Sequence, residues 1–184
     1  ETIVCTPHIH KVNAAVELSA LTQILSCKNN PAILGGNSSV AGCSIFAAEP
    51  LDVFEFQLAD RQPFEKLLEV LSKYQLKEQQ IKGSDTFSGG WIGFFGYELG
   101  RFIETLPARA INDLIFPLIR LAFYDKAVIY NRADNIFMLV VLEMDGDRRT
   151  IEDKFGILYD WLAEAAACPV PAGPSVDMQT INMK

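Results

Sequence analysis

The sequence is short of histidine, of basic charge and of long apolar runs, and each shortage excludes a class of function. Its 184 residues include two histidines, and 16 basic residues stand against 23 acidic ones, for a net charge of −7. Nucleic acids and anionic membranes attract proteins through a basic face, so neither is an expected partner. No apolar run approaches the roughly 20 residues of a membrane span, and residues 1–10 lack the features of a signal peptide. These properties predict a soluble cytoplasmic protein.

The chain also lacks the cysteine and histidine spacing of a metal site. Its four cysteines are too far apart to enclose a zinc ion; they are Cys5, Cys27, Cys43 and Cys168. In a cytoplasmic protein we expect buried free thiols. His8 and His10 would share one face of a strand, but with no third ligand nearby we expect structural roles for both. Because no other histidine exists, Ser/His or Cys/His catalysis would have to use one of them.

Enough apolar residues remain to form a core without disulfides or metals. They make up 49% of the chain, and a protein of this size can bury about 70% of its surface. Apolar residues at helical spacing predict three helices, at residues 13–27, 63–75 and 150–167. Asn13 is the predicted N-cap of the first, Asp60 or Gln62 that of the second, and Thr150 with Asp153 forms a capping box at the third.

Short apolar runs bounded by turn residues predict strands at 31–34, 43–48 and 51–58. Two longer runs, 117–130 and 136–144, flank five polar residues and predict a hairpin. Strands interrupted by isolated helices favour an α+β fold of antiparallel, sandwich-like sheets with about three flanking helices, rather than a doubly wound parallel sheet. The proline-containing residues 169–184 are typical of an interdomain linker, which leaves 1–168 as the domain.

The most unusual segment is rich in glycine and aromatic residues. Gly90, Gly93 and Gly96 recur at intervals of three, but bulky rings fill the gaps and no lysine follows, so the segment does not fit a phosphate-binding loop. A crowded strand, in which glycine lets a neighbour approach closely, is the simpler interpretation. Next come four polar residues: Tyr97, Glu98, Arg101 and Glu104. Arg101 either pairs with these carboxylates in a helical turn or binds an anionic substrate, and we favour the ion pair.

Three motifs together resemble the component I family of aminodeoxychorismate (para-aminobenzoate) and anthranilate synthases. Residues 87–107 contain Gly-Gly, then Gly-Tyr, then Arg, Glu and Leu-Pro, which is the type of motif that the family carries. Residues 44–50, ending in Glu-Pro, are similar to a family strand that ends in Asp/Glu-Pro. Residues 116–125, with Phe-Pro and Tyr-Asp, are similar to the segment before a family hairpin. The motifs follow in the right order between Pro31 and Leu142.

The resemblance implies an N-terminal, non-catalytic domain with no catalytic residue of its own. The chorismate-binding domain would follow in the same protein and would carry the magnesium ion, so neither a cofactor nor a metal is expected in these residues. A glutamine amidotransferase subunit would be the second partner. Since the two halves of family members share a sandwich of sheets, the resemblance also implies exposed apolar surface on this half.

Three functions stay open. The favoured one is a part of an enzyme that aminates chorismate to 4-amino-4-deoxychorismate, on the way to 4-aminobenzoate and folate. The alternative within the family is a part of anthranilate synthase component I, in tryptophan biosynthesis. The alternative of another class is a stand-alone binding or scaffold domain, since the residues themselves reveal no carboxylate pair, metal cluster or activated nucleophile.

The family's N-terminal domain also contacts a tryptophan, and the resemblance assigns the corresponding positions here. They are Leu34, Gly35, Gly36, Asn37, Gly42, Cys43 and Ser44. Gly42 replaces an arginine and Cys43 an aromatic residue, so a hydrogen-bond donor and a stacking surface are lost. We therefore expect a degenerate pocket in which tryptophan binding is lost or feeble. Taken without the resemblance, the loop could equally be an ordinary connection between two strands.

Overall fold

A computed structural model describes residues 2–35, 42–77, 87–105 and 116–168. Within these ranges the chain forms nine strands, three α-helices and one 3-10 helix. In chain order they are β1 (Ile3–Val12), α1 (Leu18–Ser26), β2 (Ala32–Leu34), β3 (Cys43–Ala47), β4 (Asp52–Phe56), α2 (Pro63–Ser72), β5 (Tyr74–Leu76), β6 (Gly90–Phe95), the 3-10 helix (Tyr97–Phe102), β7 (Ile119–Tyr124), β8 (Lys126–Asn131), β9 (Ile136–Met144) and α3 (Ile151–Ala167).

The strands form two sheets. The large sheet has the order β2-β3-β8-β9-β1-β5, and the small sheet has the order β4-β7-β6. Every pairing is antiparallel except that of β1 with β5, which is parallel. The predicted α+β class, with antiparallel sheets and flanking helices, is confirmed.

Helices α1 and α3 cover one face of the large sheet. Leu21 and Leu25 of α1 and Leu158 of α3 are fully buried against Leu139 and Val141 of β9. Helix α3 begins with the predicted capping box: the Asp153 amide donates to Thr150 Oγ1 at 3.1 Å, and the Thr150 amide donates to Asp153 Oδ2 at 3.0 Å. Burial of this apolar helical face stabilises the large sheet.

The first helix is shorter than predicted. It begins at Leu18, after Glu17, whose side chain makes no capping bond, so the prediction of Asn13 as N-cap is wrong. The reason is β1, which sequence patterns did not identify: this strand continues to Val12, which pairs with Phe137 of β9. Residues 13–17 are then needed to carry the chain from the sheet to the helix.

The second helix begins at Pro63 as predicted but ends at Ser72, because Tyr74 starts β5 and pairs with Ile3. Gln62, one of the two predicted caps, is the N-cap residue: it lies in the left-handed region at φ 60° and its carbonyl accepts from the Lys66 amide at 3.2 Å, but its side chain makes no capping bond. The Asp60 carboxylate accepts from the Gln57 amide at 2.8 Å instead. The apolar stripe of α2 also differs from expectation. Leu67 packs on the small sheet, while other members of the stripe are exposed.

The predicted hairpin is confirmed only in its second half. Strands β8 and β9 pair around residues 132–135, but the apolar run 117–130 is not one strand. It divides at Asp125, because β7 belongs to the small sheet and β8 to the large one. Residues 169–184, the predicted linker, lie outside the described residues.

The histidines make structural contacts, and the cysteines are unpaired. His8 Nε2 lies 2.8 Å from Glu143 Oε2, and the His10 ring stacks on Phe155 with 3.8 Å between ring centroids. All four thiols are free, but the expectation of burial holds for Cys5 and is wrong for Cys27 and Cys43, which are exposed. In the described part of the chain, no helix is both long and apolar enough to span a membrane.

Candidate functional site

The glycine-rich segment forms β6, at one edge of the small sheet. Gly93 lies opposite Leu121 of β7, and a Cβ atom at this position would stand 1.8 Å from the Arg120 carbonyl oxygen. Only glycine allows the two backbones to approach this closely. Gly90 begins the strand and Gly96 follows its end, with the Gly96 amide donating to the Leu118 carbonyl at 2.7 Å. The segment therefore has a packing role in the sheet.

The charged residues beyond β6 form the predicted ion pair in part. Arg101 Nε contacts the Glu98 carboxylate three residues earlier in the 3-10 helix. Glu104 lies beyond the end of that helix. The neighbouring Tyr97 is 88% exposed. Arg101 is thus engaged by its own helix.

A cavity of about 500 Å³ opens beside β2 and β3, at the loop where the resemblance places a ligand. Ile33 and Phe46, which are paired across the two strands, form its apolar floor. The first turn of α1 closes one side, and Arg132, from the turn between β8 and β9, closes another. The cavity therefore joins segments that are far apart in the sequence.

The structure brings together some of the predicted pocket residues. Leu34, Gly35 and Ser44 line the cavity. Gly35, at φ +135°, faces Ser44, whose Oγ would be 2.6 Å from an added Cβ, so a larger residue would fill the space. Gly42 and Cys43 lie next to the cavity without being among its lining residues, and the Gly42 carbonyl accepts from the Arg132 amide at 3.2 Å. Gly36 and Asn37 lie outside the described residues.

Sequence reasoning missed the polar residues that other elements bring to this cavity. Arg132, Glu17 and Ser19 line it, so a guanidinium, a carboxylate and a hydroxyl group surround the apolar floor. Arg132 belongs to the polar hairpin loop, and only the pairing of β3 with β8 reveals that this loop lies beside Gly42. The arrangement can accommodate a small molecule that carries charge and a short apolar part.

An aromatic cluster joins the small sheet to the edge of the large one. Tyr74 of β5 stacks on Phe123 of β7 with 3.7 Å between ring centroids, and Trp91 of β6 meets both rings edge-on. Burial raises the pKa of Tyr74, so its phenol stays neutral. A hydrogen bond to Asp52 raises the pKa of the adjacent Lys73. The aromatic cluster has a packing role. The charged pair next to it, Lys73 and Asp52, lies at its solvent-exposed margin.

Large apolar side chains are exposed at the end of β6, in and after the 3-10 helix that follows it, and shortly before β7. Tyr97 is 88% exposed, Ile103 73%, Phe116 65% and Phe95 56%. We call these four residues the edge surface. Helix α2 adds a second exposed stripe, formed by Phe64, Leu68 and Leu71. Exposed apolar side chains of this size are typical of surfaces that contact another protein or domain.

The described residues do not fit the magnesium ion that the resemblance implies for the complete enzyme. They contain no group of three or more His, Cys, Asp or Glu side chains that could hold a metal.

Comparison with known proteins confirms the resemblance. Aminodeoxychorismate synthase component 1 of Salmonella typhimurium strain LT2 is 35% identical over 81 residues, which cover 44% of this chain and 16% of that protein. The Escherichia coli K12 protein of the same name is 36% identical over 107 residues, covering 54% of this chain and 23% of that protein. Proteins named anthranilate synthase component 1 also match. No protein-family model matches the chain.

The fold agrees with these sequence matches. Anthranilate synthase component I from Streptococcus pneumoniae TIGR4 superposes on 87% of this chain and 38% of its own, with a TM-score of 0.53 and 20% sequence identity. The two chains share a fold. The matched sequence segments span less than a quarter of the length of the two aminodeoxychorismate synthase components.

Proposed function

We propose that this chain is the non-catalytic N-terminal domain of an enzyme that aminates chorismate to 4-amino-4-deoxychorismate. The relatives named aminodeoxychorismate synthase component 1 support the reaction, because they match at 35 and 36% identity. The edge surface carries the proposal of a domain that works with another. Tyr97, at 88% exposure, is the largest part of an apolar surface that a second domain would cover.

In this proposal the second domain is the chorismate-binding half of the same protein. That half would supply the catalytic groups and hold magnesium through carboxylates, and the present residues would orient and cover it. A glutamine amidotransferase subunit would deliver ammonia, and the complete enzyme would work in the cytoplasm. The name "component 1" of the relatives supports a multi-component assembly.

Anthranilate synthesis is the second candidate function. Relatives with that name and the shared fold of the Streptococcus pneumoniae protein support it. Replacement of the family's arginine and aromatic residue by Gly42 and Cys43 favours the first candidate, because feedback by tryptophan belongs to anthranilate synthesis.

Genetic complementation with the complete protein separates the candidates. We expect its gene to restore growth without 4-aminobenzoate in a bacterium that lacks aminodeoxychorismate synthase component 1. Restored growth without tryptophan, in a strain that lacks anthranilate synthase, would favour the second candidate instead. Failure in both strains, with the protein expressed in each, would favour a stand-alone binding or scaffold domain.

Contact through the edge surface is tested in the same protein. Tyr97→Ser is expected to reduce aminodeoxychorismate formation with ammonium as the nitrogen source, since it removes an apolar anchor. Tyr159→Ser is the matched control, because Tyr159 lies on α3 and is 44% exposed. Equal activity of the two variants would argue against a domain contact at the edge surface.

A further inference from the structure

Charged side chains lie buried where the chain passes from the small sheet to the large one. Strand β7 ends at Tyr124, β8 begins at Lys126, and Asp125 between them is 1% exposed. Lys126 and Lys154 are also 1% exposed. Burying a charge is costly unless the charge is paired and hydrogen-bonded. The surroundings of these three groups must therefore compensate their burial.

Lys154 of α3 is compensated by three groups around the end of β9. Its Nζ donates to the Leu142 carbonyl at 2.7 Å, lies 2.9 Å from Asp125 Oδ2 and contacts the Asp147 carboxylate in the turn after β9. The approach to Asp125 lies outside hydrogen-bond geometry, so that contact is an ion pair. Burial alone would raise the pKa of Asp147, but the Lys154 ammonium and the backbone amides of Arg148 and Arg149 together outweigh burial, and the pKa is lowered. Asp147 thus stays ionised.

Lys126 of β8 faces the turn between β3 and β4. Its Nζ donates to the Glu49 carbonyl at 3.1 Å, lies 3.8 Å from Glu49 Oε2 and 3.6 Å from Asp125 Oδ1, and stands 5.9 Å from the ring centre of Trp161 on α3. Glu49 has a φ of 54°, in the left-handed region, immediately before Pro50. A glutamate in this conformation needs support from its neighbours, and Lys126 provides it.

The two lysines therefore meet acidic residues at two of the three described crossings between the sheets; the third runs from β4 through α2 to β5. Glu49 precedes Pro50 where the chain leaves β3 for β4, and Asp125 stands where it returns from β7 to β8. These are the acidic residues of the Glu-Pro and Tyr-Asp motifs. Nothing in the proposed reaction uses them, but their positions give them a common partner in Lys126.

We propose that Asp125, Lys126 and Lys154 form an ionic lock that fixes the small sheet against the large sheet, with Glu49 and Asp147 as its outer partners. Asp125 is the shared centre, because each lysine ammonium faces one of its two oxygens. Removing one lysine ammonium leaves the buried Asp125 carboxylate with a single cation. The small sheet then separates from the large sheet more easily, while the large sheet stays packed under α1 and α3. The residues of the lock are positioning residues for the edge surface, which the small sheet carries.

Native-state hydrogen exchange on the full 184-residue chain tests the lock. In Lys154→Met, amides of the small sheet, such as Phe54 and Leu121, are expected to exchange at least about tenfold faster relative to Val128 and Val140 of the large sheet. Lys28→Met is the matched control, since it removes a less buried ion pair between Lys28 and Glu164 of α3. The control is expected to leave the ratio of exchange rates between the two sheets unchanged.

A milder variant keeps the test decisive if Lys154→Met does not fold. Glu49→Gln changes a partly exposed outer partner and is expected to accelerate exchange in the small sheet alone, by a smaller factor. Equal acceleration in both sheets, in either variant, would show that the cluster contributes only general stability. If Glu49→Gln left the ratio of exchange rates between the two sheets unchanged, the lock would also be overturned. The Glu49 carboxylate would then contribute nothing to the connection between β3 and β4.

Discussion

The two sheets differ in how their faces are covered. The large sheet lies under α1 and α3, and Leu139, Val141 and Leu158 are fully buried between them. The small sheet has a modest buried cluster around Phe56, and beyond it Phe95 and Tyr97 are exposed. Burial of apolar area is the main stabilising term in folding. The large sheet is therefore covered on one face by α1 and α3 and on the other by the small sheet, whose Phe123 packs against Leu142, while the small sheet keeps apolar residues exposed for contact.

A matched pair of leucine substitutions gives the largest expected difference between the two regions. Leu158→Ala removes a side chain that is fully buried under the large sheet and is expected to lower the free energy of unfolding by about 2–5 kcal/mol. Leu68→Ala removes one that is 70% exposed on α2 and is expected to change it by less than about 0.5 kcal/mol. Urea unfolding measures both. Similar losses of unfolding free energy in the two variants would show that α2 is packed as tightly as α3. They would contradict the difference between the two regions.

A matched pair of glycine substitutions gives the next effect. Gly93→Ala places a Cβ against the Arg120 carbonyl, 1.8 Å away in an unrelaxed sheet, and is expected to cost about 1–3 kcal/mol. Gly156→Ala, in α3, meets open space and is expected to stabilise the chain by about 1 kcal/mol. Thermal unfolding followed by circular dichroism distinguishes the two signs. A neutral Gly93→Ala would show that β6 shifts freely at its edge.

Acid is expected to act on the turn between β9 and α3 with a smaller effect. In the folded chain the pKa of Asp147 lies below its ordinary value of 3.8. The ionised carboxylate therefore makes its full contribution to folding stability at pH values above 3.8. This contribution is lost as pH falls through the folded pKa, because the unfolded chain binds the proton first. In Asp147→Asn, the urea concentration at the midpoint of unfolding is expected to change less with pH over this acidic range. Asp160→Asn, at an exposed position of α3, is the control, and equal flattening by both would contradict the assignment.

Tryptophan is expected to give the smallest effect, at the cavity beside β2 and β3. Calorimetry of the 184-residue chain with tryptophan should show no saturable heat in the micromolar range, because Gly42 and Cys43 provide neither the family's donor nor its ring. Arg132 places a guanidinium at the same cavity by another route. Micromolar binding of tryptophan would overturn the prediction. If Arg132→Gln then abolished that binding, the Arg132 guanidinium would be shown to replace the family's arginine.

Elements whose signals are local could be predicted from the sequence. The capping box of Thr150 and Asp153 sets the start of α3 within one turn, and β3 and β4 lie between clear turn residues. The motifs between Pro31 and Leu142 also identified the relatives. These features depend on neighbours in the sequence, so no knowledge of the fold was needed.

Features that depend on distant partners were missed. β1 carries His8 and His10 among apolar residues, so it shows no clean alternation, and its pairing with β9 decides its structure. The run 117–130 is largely apolar and has no glycine or internal proline, so no local signal marks the change of sheets at Asp125. Arg132 reaches the candidate cavity for a similar reason: the pairing of β3 with β8 places it there.

The position of β1 also has a consequence for the order in which the chain folds. This strand is the first element of the chain, yet it lies inside the large sheet, between β9 and β5. Its ladder with β9 joins residues about 130 positions apart, and closing so long a loop carries a large entropic cost. Non-local pairing of this kind slows folding. During synthesis on the ribosome, β1 therefore cannot pair with β9 until residues 136–144 have been made.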